Sequence, residues 1–292
     1  MSSETTKLED KMSIDDEVKA VGGGISNIAK VIEIIGDNPN AKQAADNLGQ
    51  SLVTITQTFN NVLLPLAAVN FGFDKAKTYF NEKFQKDFEP KLADIPQEEL
   101  IEPKASVAGA VLQSIAFAHE EIDLKEMYLS LLATSMDKRV SVNAHPAFVE
   151  IIKQLSSEEA KVLQNVFALD GTMAPVVEIR LQQDAGFQIL YTHLVDYQTA
   201  SYTHFVDYRT ANGTKLENPR MSAIFDNLAR LGLITVDYAS NLTAENAYDW
   251  VDNRPEMIRF KKEFDPAKIQ FQKGVIKKTS FGTQFAKAVG LG

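Results

Sequence analysis

The chain has no cysteine in its 292 residues. That excludes disulfides, thiol nucleophiles and cysteine-ligated zinc, and it suits a cytoplasmic protein. Histidine is scarce, with four in all, so base catalysis has few imidazoles to draw on. The residues through Glu17 are acidic and polar and lack the basic and apolar regions of a secretory signal. There is no Gly-x-Ser-x-Gly, no kinase motif set and no paired nuclease carboxylates. His119-Glu120-Glu121-Ile122-Asp123 begins like a zinc-protease motif, but Asp123 stands where the second histidine belongs. No metal and no cofactor are expected.

What is present is ordinary for a soluble globular protein: 45% hydrophobic and 24% charged residues. The length suits one large or two ordinary domains. The net charge of −9 is unevenly spread. Residues 1–104 hold 11 basic and 17 acidic side chains, residues 105–170 hold 5 and 9, and residues 171–292 hold 14 and 13. From Ile258 to Gly292 there are eight basic residues against two acidic. A basic end on an acidic body is the one electrostatic pointer to a polyanion.

The stretch from Pro103 to Leu169 carries four helical patterns. Val107, Val111, Ile115 and Ala118 mark the first. Leu124, Met127, Tyr128, Leu131, Leu132 and Met136 mark the second. Phe148, Ile151, Ile152 and Leu155 mark the third, and Ala160, Leu163, Val166 and Phe167 the fourth. Each set places apolar side chains on one helical stripe. Asp123 can cap the second helix, and Pro146 suits the first turn of the third. Ser156-Ser157-Glu158-Glu159 fits a capping box opening the fourth. His145 before Pro146 reads as a structural histidine bonded to a helix start.

Several stretches here share a family likeness. They are Ile95-Pro96-Gln97-Glu98-Glu99, Glu102-Pro103, Leu124-Lys125-Glu126-Met127-Tyr128, Leu131-Leu132-Ala133, and the run from His145-Pro146-Ala147-Phe148 to Ser156. Together they resemble the abortive infection alpha (Abi-alpha) family, a bacterial domain of unknown biochemical function. The likeness covers roughly residues 50–170 and is looser at Asp226–Ile234 and Thr279–Gly282. The resemblance implies a role in bacterial defence against phage. It supplies no catalytic residues to carry over.

Toward the N-terminus, residues 1–14 read as a tail and Gly22-Gly23-Gly24 as a helix break or hinge. Asn47 to Phe73 has no charged residue. Its stripe of Ile55, Phe59, Val62, Leu66, Val69 and Phe73 is expected to form a core helix kinked at Pro65. A membrane span is the other reading. Gln57, Asn60, Asn61 and Asn70 argue against it, since a span needs about 20 predominantly apolar residues. Asp74 to Phe88 continues as a helix with Phe80, Phe84 and Phe88 on one face, and Pro90, Pro96 and Pro103 punctuate the connection that follows.

After Gly171 the period changes to β-like: Val176, Val177, Ile179 and Leu181, then Phe187, Ile189 and Tyr191. Tyr191–Ser201 is repeated at once as Tyr202–Asn212, with eight of eleven positions identical. His193, Asp196, His204 and Asp207 would make a metal site only on a helix. On a strand, residues three apart point oppositely, so none is expected here. Arg220 to Leu231 is a strong helix, and Gly232 caps it before Leu233–Val236. Gly274 to Lys278 reads as a short strand, and Thr279 or Ser280 opens a last helix. The polar segment Ala239–Gln272, with Trp250 in it, is expected to hold a wing or an insertion.

The expected fold is a mainly α helical bundle with a C-terminal α+β winged-helix-like module. Its parts are a tail (1–14), an N-terminal helical region (15–102), a central bundle (103–170) and the mixed module (171–292). The expected function is a non-enzymatic interaction protein of phage defence, with a phage or host protein as partner. The alternative is a winged-helix regulator in which Arg220, Asn227, Arg230, Lys277 and Lys278 contact nucleic acid. A membrane-active effector is the third reading, and homo-oligomers are left open.

Overall fold

The computed structural model describes residues 70–169, 171, 173–195 and 216–291, with side chains from residue 75 onward. The tail, the triple glycine, the Pro65 kink and Asn47 to Val69 lie outside these residues. So do Asp196, His204 and Asp207.

Two helices, α1 (Asn70–Glu82) and α2 (Phe84–Leu92), replace the single helix expected through Phe88. The break falls at Lys83, whose φ of −122° leaves the helical region. The phenylalanine stripe survives the break, with Phe80–Phe84 and Phe84–Phe88 ring centroids 5.1 and 5.4 Å apart. Pro90 sits inside the last turn of α2, where losing one backbone donor does not stop the helix.

The central stretch forms α3 (Ala105–Ala118), α4 (Ile122–Met136), α5 (Ala147–Lys153) and α6 (Ser157–Ala168). Ten of the fifteen residues of α4 are buried. A helix apolar on nearly every side belongs at the centre of a core, and α4 touches α2, α3, α5 and α6. Asp123 does not cap it. The helix begins one residue earlier, and Asp123 lies in its first turn, where a carboxylate suits the positive end of the helix. The capping box of α6 forms as expected: Ser156 Oγ accepts from Glu159 N–H, and the Glu159 carboxylate accepts from Ser156 N–H.

Four strands make one antiparallel sheet: β1 (Met173–Gln183), β2 (Gly186–Leu194), β3 (Ile234–Asp237) and β4 (Ile269–Lys278), in the order β2-β1-β4-β3. A tight turn at Asp184-Ala185 joins β1 to β2, and Gly186 supplies a φ of 119° there. Strand β4 is twice the expected length and pairs with β1 from Met173↔Lys277 to Leu181↔Ile269. Helix α7 (Met221–Arg230) precedes β3, and α9 (Ser280–Ala288) follows β4. Gly232, at φ 73°, ends α7: Leu233 N–H reaches Leu228 C=O and Gly232 N–H reaches Ala229 C=O, the two bonds of a Schellman cap. Thr279 Oγ1 caps α9 by accepting from Gly282 N–H.

The segment between β3 and β4 is not simply a polar wing. It contains α8 (Pro255–Glu263), with Pro255 at its first position. Tyr248, Val251, Met257 and Phe260 bury against Val177, Ile179, Leu194 and Ile269 in a second apolar cluster. The main core runs from Tyr79 and Phe88 through α3–α6 to Val176, Phe225, Ile276 and Phe285. The architecture is therefore mixed α+β, with nine α-helices and one four-stranded sheet among the described residues. None of these helices is long and apolar enough to cross a membrane.

Candidate functional site

The five side chains expected to meet nucleic acid all have partners within the fold. Asn227 and Arg230 lie on α7, Arg220 stands at its N-cap, and all three face the α5–α6 corner. Asn227 Nδ2 donates to Gln154 C=O (3.1 Å) and to Glu159 Oε1 (2.7 Å). Arg230 donates to Asn227 Oδ1 (2.6 Å) and to Gln154 Oε1 (3.0 Å). Arg220 pairs with Glu158 at 3.1 Å. The same Glu159 that closes the capping box of α6 thus also anchors α7. Lys277 pairs with Asp237 across β3–β4 at 2.9 Å. The Asp237 carboxyl is held well below the usual range, chiefly by the Ser240 hydroxyl and then by Lys277. Lys278 Nζ donates to Phe167 and Leu169 C=O (3.1 and 2.8 Å), where a cation suits the negative end of α6.

The histidines are also placed. His145 Nδ1 accepts from Ala147 N–H at 3.1 Å, the helix-start role its sequence position indicated. His193 adopts φ 53°, the only non-glycine residue at positive φ among the described residues. Its ring bonds Asp226 through Nε2 and the Tyr238 hydroxyl through Nδ1, both at 3.0 Å. Tyr238 stacks on it at an interplanar angle of 7°, and burial pushes the Tyr238 hydroxyl up to about 12. His193 therefore pairs with Asp226 of α7, a carboxylate 33 residues away. No group of three or more metal-ligating side chains occurs among the described residues.

A cavity of about 540 Å³ opens between α1 and the α3–α4 turn. Lys75, Thr78, Tyr79, Lys83 and Lys125 line it, with His119 and Glu120 at the turn. His119 caps the end of α3, and its ring stacks on Tyr79 with centroids 5.1 Å apart. Tyr79 is buried, and its hydroxyl donates to Asp87 Oδ2 at 3.2 Å. Lys125 reaches the same oxygen at 2.6 Å. Burial, and next the Asp87 charge, push the Tyr79 hydroxyl far above its ordinary value. Lys75 pairs with Glu120 at 2.8 Å and holds that carboxyl below the usual range. Sequence reasoning missed this cavity. Lys75, Thr78 and Tyr79 have the i, i+3, i+4 spacing of one helix face, but His119 and Lys125 come from some forty residues away.

The family model for abortive infection alpha matches residues 76–289. No curated protein and no solved structure matches the chain. The matched span begins inside α1 and ends just after α9, so it takes in the whole sheet and α8 as well as the central helices.

Proposed function

The chain belongs to the abortive infection alpha family, and on that premise we propose that it serves bacterial phage defence as a non-enzymatic interaction protein. Its helical region binds a phage or host factor in this reading. The family match over residues 76–289 carries the proposal. The test is phage plaquing on a bacterial host expressing the intact chain against an empty vector, with host survival counted in the same cultures. Fewer plaques with early death of infected cells is the expected result. Full plaquing across a broad phage panel would remove the proposal.

A second reading treats α7, β3, β4 and α9 as a winged-helix-like unit that binds nucleic acid. The surplus of basic side chains from Ile258 onward favours it. It requires Arg220, Asn227, Arg230, Lys277 and Lys278 to exchange their present partners for phosphates or bases. Binding of duplex DNA should then weaken steeply with salt and with Lys277→Glu plus Lys278→Glu. Salt-insensitive binding, untouched by the double variant, would rule it out.

A further inference from the structure

We propose that the cavity beside α1 and the α3–α4 turn binds a small organic phosphate of nucleotide size, with its phosphate among Lys75, Lys83 and Lys125. The first ground is charge. The lining carries three ammonium groups and one carboxylate, Glu120, and with Asp87 behind Lys125 counted the surplus is one positive charge, in a chain of net charge −9. A concave cationic wall on an acidic body draws small anions. The second ground is availability. Lys83 stands exposed at the α1–α2 break, and no ion pair or hydrogen bond to its ammonium occurs among the described residues. Lys75 and Glu120 are 60% and 64% exposed, and a surface pair of that kind is weak enough to give way to a phosphate. Lys125 differs, being mostly buried and fixed by Asp87, so it presents its remaining donors in one place.

The third ground is size and lining. A volume near 540 Å³ exceeds what a bare phosphate needs and lies within the range of about 300–1,000 Å³ usual for small-molecule sites. The space beyond the lysines is bordered by the Tyr79–His119 stack, a flat, partly apolar wall suited to an organic group. Asp87 keeps this wall in register, since its one oxygen holds both the Tyr79 hydroxyl and the Lys125 ammonium. The inference stands apart from the phage reading and does not rest on it.

Isothermal titration of the intact chain tests it, with adenosine and guanosine diphosphates as probes and pyrophosphate as the inorganic control. Saturable binding of at least one nucleotide, tighter than pyrophosphate, is expected. Lys83→Glu and Lys75→Glu should each weaken it about tenfold or more, with unchanged circular dichroism and thermal midpoint. Both lysines are exposed, so loss of fold is not a confounding outcome. Three results would overturn the proposal: no saturable binding of either nucleotide at millimolar concentration, pyrophosphate binding as tightly as the nucleotides, or nucleotide binding indifferent to both variants.

Discussion

Glu256 is a carboxylate with no exposed surface, and its survival depends on one neighbour. Arg254 grips it with Nε at 3.1 Å from Oε2 and Nη2 at 2.9 Å from Oε1, a bidentate fork. Such a pair adds little net stability against an apolar replacement, but breaking it strands the other charge. Glu256→Ala should therefore cost about 3–5 kcal/mol, because Arg254, itself only 13% exposed, is left without its carboxylate. Urea unfolding of the variant checks this, and a shift in midpoint no larger than that of a surface substitution would contradict it. Asn218 is the opposite case: its buried Nδ2 has no hydrogen-bond partner among the described residues, and nothing else in them explains that. The sequence names Glu256 only as one acidic residue in a polar segment, since burial of a charge is decided by partners rather than by local pattern.

The seating of α9 shows what a single glycine does for an element. A Cβ on Gly282 would run into Leu233 C=O, a backbone atom rather than a flexible side chain. Gly282→Ala should therefore lift α9 from the start of β3 and destabilise the protein by about 1–3 kcal/mol, toward the upper end because no flexible side chain absorbs the clash. Ser280→Ala, next to the same cap, serves as the comparison in a thermal melt. At this scale Ser156→Ala should cost about 1 kcal/mol, since it removes the hydroxyl that accepts from Glu159 N–H. These elements were largely legible. The Ser156 box, the Gly232 turn and the Thr279 cap are local chemistry, fixed by residues three or four apart. Strand β4 was legible only in its second half, because Gln270, Gln272 and Lys273 dilute the apolar alternation of its first half. Helix α8 was missed for a related reason: Met257 and Phe260 are its only buried apolar residues, and the third residue of its inner face, Glu256, is charged. The cavity was illegible because Lys125 and the α3–α4 turn are brought beside α1 by the packing of α1 on α3, not by spacing along the chain.

At the scale of the whole molecule, the core does not stop where the helices give way to strands. Val176, Phe225, Ile276 and Phe285 share one apolar cluster with Leu112, Leu132 and Phe148, and Thr134 Oγ1 of α4 donates to Ala288 C=O of α9. A continuous core of this kind should lose its parts together. Three tyrosines supply the test: Tyr128, buried in α4, and Tyr238, half-buried after β3, belong to this core, and Tyr191, half-buried in β2, packs on the second cluster. Burial comes first among the causes that push each hydroxyl up to about 12. An unfolded tyrosine ionises near 10, so between about 10 and 12 the unfolded chain releases protons that the folded chain retains. The stability these groups provide is complete below about pH 10 and is lost as the pH climbs toward about 12. For Tyr128, which is 2% exposed, the two-unit gap amounts to roughly 2–3 kcal/mol. The expected result is a urea midpoint that falls steeply above pH 10, with helix and sheet signals lost together and tyrosinate absorbance appearing at the same pH. Tyr128→Phe should lower stability little at neutral pH and flatten the alkaline decline. Tyrosinate absorbance that develops fully near pH 10 in a chain still folded would show that these hydroxyls are solvated. Helical and sheet signals lost at separate pH values would show that the shared core does not couple the two halves.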